Sequence, residues 1–209
     1  MTKVKICGLR REEDVEYVNR YLPEYIGFIF AKSRRRISIE FAGKLKKSLL
    51  PDIKTVGVFV NEDLLKVSET AYDLELDCIQ LHGDETYEYV ENLKKKLKEK
   101  KEIEVWKAIR VKDGDSIKKM SCYNVDAFVL DAYIEGIYGG VGKTFDWEIA
   151  KQAKKIGKII LAGGLNTGNI SEAIKEVKPF AVDVSSGVET NKYKDEKKIK
   201  DFIESVKKD

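Results

Sequence analysis

The chain has 209 residues, 43% hydrophobic and 36% charged, which is enough to bury one sizeable core. Lysine plus arginine (39) nearly cancel aspartate plus glutamate (36), leaving a net charge of +3, so no basic surplus argues for a nucleic-acid partner. No apolar run spans a bilayer or opens the chain as a signal peptide, and three cysteines without metal or CxxC spacing beside a single histidine argue against disulfides and a histidine-based zinc site. The expectation is a cytoplasmic protein with reduced thiols, no metal and no membrane contact. Heavy Lys and Glu usage with only three prolines and two methionines points towards a hot habitat.

The first predicted strand, 3–7, ends on Cys7. Lys5 and Cys7 are two residues apart and therefore project from the same side of a strand. A thiol near a cation is a candidate nucleophile or general base, and the competing reading is a small buried hydrophobe. The second strand, 25–30, leads into Ser33-Arg34-Arg35-Arg36-Ile37-Ser38. One of these arginines could clamp a carboxylate bidentately, against a plain solvated turn for any single one. Ser38 is the predicted N-cap of a helix carrying Phe41, Leu45 and Leu49.

The third strand is predicted at 54–60, followed by a helix with Leu64, Val67, Ala71 and Leu74 on one face. The fourth, 77–81, brings Gln80 and His82 to its end, both able to face one opening, although a lone histidine is more often structural. Val90, Leu93 and Leu97 mark the apolar face of the next helix. Its lysines (Lys94, Lys95, Lys96, Lys98) form a solvated face rather than a nucleic-acid patch. The fifth strand, 103–109, contains Lys107, either a Schiff-base lysine or an interior lysine neutralised by acidic neighbours.

The sixth strand, 126–131, closes on Asp131 after Ala127-Phe128-Val129-Leu130. A carboxylate after such an apolar run is costly unless it does chemistry or caps the next segment. Gly139-Gly140-Val141-Gly142-Lys143-Thr144 looks like a Walker A loop but fails that pattern, because Ile137 stands where its first glycine belongs. A loop able to fold over a substrate fits better. The seventh strand, 157–162, runs into Gly163-Gly164. The eighth, 180–184, carries Asp183 and runs into Ser185-Ser186-Gly187. These adjacent loops suit a phosphate cradle, with tight turns as the competing reading. Helical faces follow at Ile170, Ala173, Ile174, Val177 and at Ile199, Phe202, Ile203, Val206.

Eight apolar strands alternating with amphipathic helices need parallel crossovers. The absence of G-x-G-x-x-G after the first strand argues against a dinucleotide fold. The expected fold is α/β, a single-domain (β/α)8 TIM barrel over residues 1–209, with strand-end polar groups gathered at one mouth. Cys7 and Asp131 then stand across that mouth as two proton-transfer groups.

The motifs Lys5-Ile6-Cys7-Gly8-Leu9, Gly27-Phe28-Ile29-Phe30, Val56-Gly57-Val58-Phe59-Val60-Asn61, Gln80-Leu81-His82-Gly83, Leu130-Asp131, Gly139 through Trp147, Ala162-Gly163-Gly164-Leu165-Asn166 and Pro179 through Glu189 occur in one order over nearly the whole chain. In these the chain resembles the phosphoribosylanthranilate isomerases of tryptophan biosynthesis. The resemblance implies an Amadori rearrangement of N-(5-phosphoribosyl)anthranilate to 1-(2-carboxyphenylamino)-1-deoxyribulose 5-phosphate, the third step from chorismate. It also implies Cys7 as general base, Asp131 as general acid and Arg35 on the anthranilate carboxylate. Gln80, His82 and Asp183 would complete the substrate contacts, and Gly163, Gly164, Ser185, Ser186 and Gly187 would hold the phosphate. The iminium forms within the substrate, so no cofactor is expected. The partner is a sugar phosphate, and the assembly a monomer or homodimer.

The chain departs from the family after strand two, where Ala31-Lys32 replaces a common proline. It departs again after Glu189, where Thr190-Asn191-Lys192-Tyr193-Lys194-Asp195 replaces a Pro-Gly turn; no chemistry is expected to depend on that second segment. Competing readings are a lysine-based barrel using Lys107, an isomerase that also takes a histidine-pathway substrate, and a sugar-phosphate binding scaffold without turnover.

Overall fold

The computed structural model describes residues 1–111, 114–132 and 147–208. Eight parallel strands close into a barrel in sequence order: β1 (Lys3–Cys7), β2 (Tyr25–Ile29), β3 (Lys54–Phe59), β4 (Cys78–Leu81), β5 (Glu104–Val111), β6 (Ala127–Ala132), β7 (Ile159–Leu161) and β8 (Ala181–Val184). The ring closes where β8 pairs with β1, with Lys5 opposite Asp183. Helices α1 (Glu12–Tyr21), α2 (Ile39–Lys47), α3 (Leu64–Asp73), α4 (Tyr87–Lys98), α5 (Gly114–Lys118), α6 (Trp147–Ala153), α7 (Ile170–Val177) and α8 (Glu196–Lys207) follow the strands in turn. All eight expected strands are present. Strand β7 is shorter than its apolar run, because Gly163 and Gly164 take φ of +78° and +73° and turn the chain out of the sheet. Strand β5 runs further, since β6 stays paired with it as far as Val111 and Ala132.

Strand alternation splits the apolar residues into two cores. Tyr25, Val56, Cys78, Trp106, Ala127, Val129, Ile160 and Ala181 pack together inside the barrel, where the Tyr25 and Trp106 rings meet edge to face at 5.0 Å. The other strand face, with Ile6, Phe28, Ile79, Leu81, Leu130 and Val182, packs against the helices. The helix faces read from spacing are the buried ones: Val90, Leu93 and Leu97 on α4, Ile170, Ala173, Ile174 and Val177 on α7, and Ile199, Phe202, Ile203 and Val206 on α8. Ser38 caps α2 by accepting from the Phe41 N–H at 3.2 Å, but that helix ends at Lys47, before Leu49.

A hairpin unforeseen from sequence follows β8. Strands β9 (Glu189–Thr190) and β10 (Tyr193–Lys194) pair antiparallel around Asn191 and Lys192, both at positive φ. That is the backbone of the two-residue turn that matches strand twist, and Asn tolerates it better than most residues.

Candidate active site

Inside the barrel, residues two apart stack along each strand. On β6 the series Ala127, Val129, Asp131 begins in the apolar interior and ends on the carboxylate. On β4 the series Cys78, Gln80 leads to His82, and on β8 Ala181 leads to Asp183. On β1 the same face carries Lys5 and Cys7. The floor is therefore apolar, and polarity gathers at the C-terminal ends of the strands, where barrels of this kind build sites.

Lys5 is fully buried and donates to Asp183 Oδ2 at 2.8 Å. Burial opposes its charge, but Asp183 and Cys7 outweigh that, and the ammonium is held above the ordinary lysine range. Cys7 is 6% exposed. Burial pushes its thiol above the ordinary range; Lys5, through charge and hydrogen bonding, and Lys194 pull it back. The site thus sets burial, which disfavours the thiolate, against a cation that favours it. Asp183 Oδ1 is buried without a hydrogen-bond partner among the described residues.

Across the mouth, Gln80 Nε2 lies 2.8 Å from His82 Nδ1, and His82 Nε2 lies 3.2 Å from Asp131 Oδ2. Gln80 is buried, whereas His82 and Asp131 are partly open. The structure thus joins Gln80 and His82 to Asp131, while Cys7 belongs to the Lys5–Asp183 group.

Arg35 reaches over β1, its Cδ lying 2.7 Å from where a Cβ on Gly8 would be. Glu189 already holds its Nε and one terminal nitrogen, at 2.6 and 3.0 Å. Arg34 donates to the same carboxylate at 2.8 Å. Burial works against ionisation of Glu189, but Arg35 and Lys194 outweigh it, and the carboxyl sits below its usual range.

Lys194 was missed. It is 4% exposed and donates to the Ser185 carbonyl at 2.9 Å and to Glu189 at 3.0 Å; Ser185 Oγ in turn donates to the Cys7 carbonyl at 2.9 Å. Burial lowers the Lys194 pKa and Glu189 pulls it back. The segment after Glu189, on which no chemistry was expected to depend, folds into a hairpin that places this buried cation near enough to Cys7 to favour its thiolate. Tyr193 secures the hairpin, with the Arg10 and Arg11 guanidinium groups each 4.6 Å from its ring centroid. Asn191 was the available signal, since it suits a tight turn.

The loops after β7 and β8 share one lip. A Cβ on Gly187 would overlap the Leu165 carbonyl oxygen, so only glycine lets the two backbones approach this closely. Gly163, Gly164, Ser185 and Ser186 flank that contact. The Gly139–Thr144 loop lies outside the described residues.

Lys107 is not in the mouth. It pairs in register with Leu81, on the wall face turned to the helices. It donates to the Gly83 carbonyl at 2.8 Å and to Glu85 at 3.1 Å. Among the described residues no cluster of His, Cys, Asp or Glu could hold a metal ion, and no helix is long and apolar enough to cross a membrane.

Comparison with known proteins agrees with this fold. The family model for N-(5'phosphoribosyl)anthranilate (PRA) isomerase matches residues 4–205. An N-(5'-phosphoribosyl)anthranilate isomerase of Acetivibrio thermocellus is 57% identical, covering 99% of this chain and 96% of the relative. The crystal structure of phosphoribosyl anthranilate isomerase from Thermotoga maritima superposes with a TM-score of 0.89 at 39% identity, with both chains fully covered. A phosphoribosyl anthranilate isomerase in complex with reduced 1-(o-carboxyphenylamino)-1-deoxyribulose 5-phosphate superposes with a TM-score of 0.85 at 36% identity, again over the whole of both chains.

Proposed function

The chain belongs to the N-(5'-phosphoribosyl)anthranilate isomerase family, and from that premise we propose that Cys7 and Asp131 are the base and acid of its isomerisation in tryptophan biosynthesis. The supporting observation is the placement of Cys7 beside the Lys5–Asp183 pair at the end of β1, with Asp131 at the end of β6 on the same interior face.

Asp131 gives its proton to the ribose ring oxygen. The C1′–O bond breaks towards that oxygen as the anilino nitrogen lone pair forms the C=N bond, giving an open-chain iminium. Cys7, as thiolate, takes the C2′ proton, and the electrons of that bond flow to the iminium to give an enolamine. Tautomerisation yields the 2-ketose. The electron sink lies in the substrate, so the chain needs only to bind, orient and move protons. Burial raises the Cys7 pKa and Lys5 pulls it back; once the thiol proton has left to solvent, the C–H acidified by the iminium meets a basic thiolate with its counter-cation in place.

The substrate phosphate is held by the joined lip of Gly163, Gly164, Ser185, Ser186 and Gly187. The free edge of Arg35, whose other edge is fixed by Glu189, faces the anthranilate carboxylate. Asp183 Oδ1, still unpaired, is available to a sugar hydroxyl. His82 completes the substrate side of the mouth beside Asp131, with the buried Gln80 behind it. The chain works as one barrel domain in the cytoplasm, as a monomer or homodimer without nucleic acid or membrane. A fluorescence assay with freshly prepared phosphoribosylanthranilate tests the reading. Cys7→Ala and Asp131→Asn are each expected to lower kcat about 10²–10⁴-fold, and near-normal turnover in either variant would defeat the assignment.

A further inference from the structure

Gln80 is 1% exposed, lying on β4 in register with Val58 of β3 and Trp106 of β5. It sits beneath the mouth rather than in it. Its amide nitrogen is 2.8 Å from His82 Nδ1, and its carbonyl oxygen has no hydrogen-bond partner among the described residues. Orphaning a buried acceptor is costly, so the amide's orientation needs a reason. Turning it round would strand both amide hydrogens instead, and its oxygen would then accept from an Nδ1–H, which leaves the bare ring nitrogen facing Asp131.

The reason lies one bond further on. A neutral imidazole has one N–H and one bare nitrogen. With Nδ1 accepting from Gln80, the hydrogen is on Nε2, which points at Asp131 Oδ2 from 3.2 Å. The opposite tautomer would aim a lone pair at the carboxylate that appears when Asp131 gives up its proton. The His82 backbone is fixed as well, its N–H donating to the Phe59 carbonyl at 2.8 Å.

We propose that Gln80 is a positioning residue that fixes the tautomer of His82, so that the Nε2–H stabilises Asp131 as it turns into a carboxylate. Gln80 then serves the reaction through the imidazole and does not itself touch the substrate. The inference rests on Asp131 being the general acid, and it refines the expected role of Gln80 as a substrate ligand. A wrong histidine tautomer is known to be expensive in other acid–base systems.

The chain contains one histidine, so protein labelled with 15N-histidine yields a single pair of ring-nitrogen signals. For the neutral imidazole, the wild-type spectrum is expected to show Nε2 protonated and Nδ1 bare. Gln80→Leu should lose that preference and lower kcat roughly tenfold, a fraction of what a positioned acid contributes, with KM little changed. Gln80→Glu should favour a hydrogen on Nδ1 and lower kcat further. A wild-type spectrum with the hydrogen on Nδ1 overturns the proposal without any variant having to fold. So does a Gln80→Leu enzyme with raised KM and unchanged kcat, the signature of a substrate contact. The spectrum needs no substrate, so failure here is separable from failure of the acid assignment, which would appear as turnover retained in Asp131→Asn.

Discussion

Lys5 and Lys107 are both strand lysines buried against a carboxylate, at 2.8 Å from Asp183 and 3.1 Å from Glu85 respectively, yet they stand on opposite faces of the barrel wall. Lys5 points inward, in register with Tyr25 and Asp183, and shares its space with Cys7. Lys107 points outward, in register with Leu81, and ties the loop after β4 to β5. Its charge is also less secure: burial holds Lys107 below the ordinary lysine range, whereas Asp183 and Cys7 outweigh burial at Lys5. A buried lysine is thus no sign of chemistry in itself. The wall face decides what its charge acts upon, and strand alternation sets that face.

Of the two lysines, the inward one carries the larger expected effect. Lys5→Met should lower kcat by about 10² or more through loss of the cation that favours the thiolate, and should destabilise the fold by about 3–5 kcal/mol by stranding Asp183. Steady-state kinetics and urea unfolding measure the two together. Lys107→Met should cost a similar ~3–5 kcal/mol while leaving kcat per folded molecule unchanged. If Lys107→Met folded normally but had no turnover, the contrast would collapse and a Schiff-base lysine would return.

Arg35→Lys should raise KM roughly tenfold with a smaller effect on kcat, because an ammonium cannot bind Glu189 and a substrate carboxylate in one planar fork. A change confined to kcat would remove Arg35 from substrate binding.

The thiol offers a test with a defined sign. Burial raises the Cys7 pKa, so its thiolate fraction at neutral pH is smaller than that of a free cysteine. In a Cys122→Ser background, which removes the exposed thiol, alkylation of Cys7 should be slow at neutral pH and accelerate above the ordinary thiol range. Lys5→Met should slow it further. Faster alkylation than free cysteine at neutral pH would contradict this. The smallest effect is expected at the hairpin: Tyr193→Ala should cost about 1 kcal/mol in thermal unfolding, from its two cation–π contacts, and lower activity modestly by loosening Lys194.

Much of this was readable from local pattern. Eight apolar runs separated by amphipathic spacing leave little besides a parallel α/β barrel. The two-residue spacing of Lys5 and Cys7 already put them on one side, and an acid at the end of Ala127-Phe128-Val129-Leu130 already marked Asp131. The charge partnerships were not readable. Lys5 meets Asp183 across 178 positions, Arg35 meets Glu189 across 154, and His82 meets Asp131 across 49. Lys194 was not readable as part of the site, because Asn191 suggests a turn but nothing in the local sequence says where the hairpin packs.

Periodicity is a property of neighbouring residues, and it determined the strands, the buried helix faces and the side of each strand on which a reactive group stands. Closure of the ring is a property of the whole chain. It decided which carboxylate each lysine meets, that Gln80 sits under His82, and that Arg35 reaches the mouth already held by Glu189. Those pairings depend on strand register and loop packing summed around eight units, and no short stretch of residues contains that information.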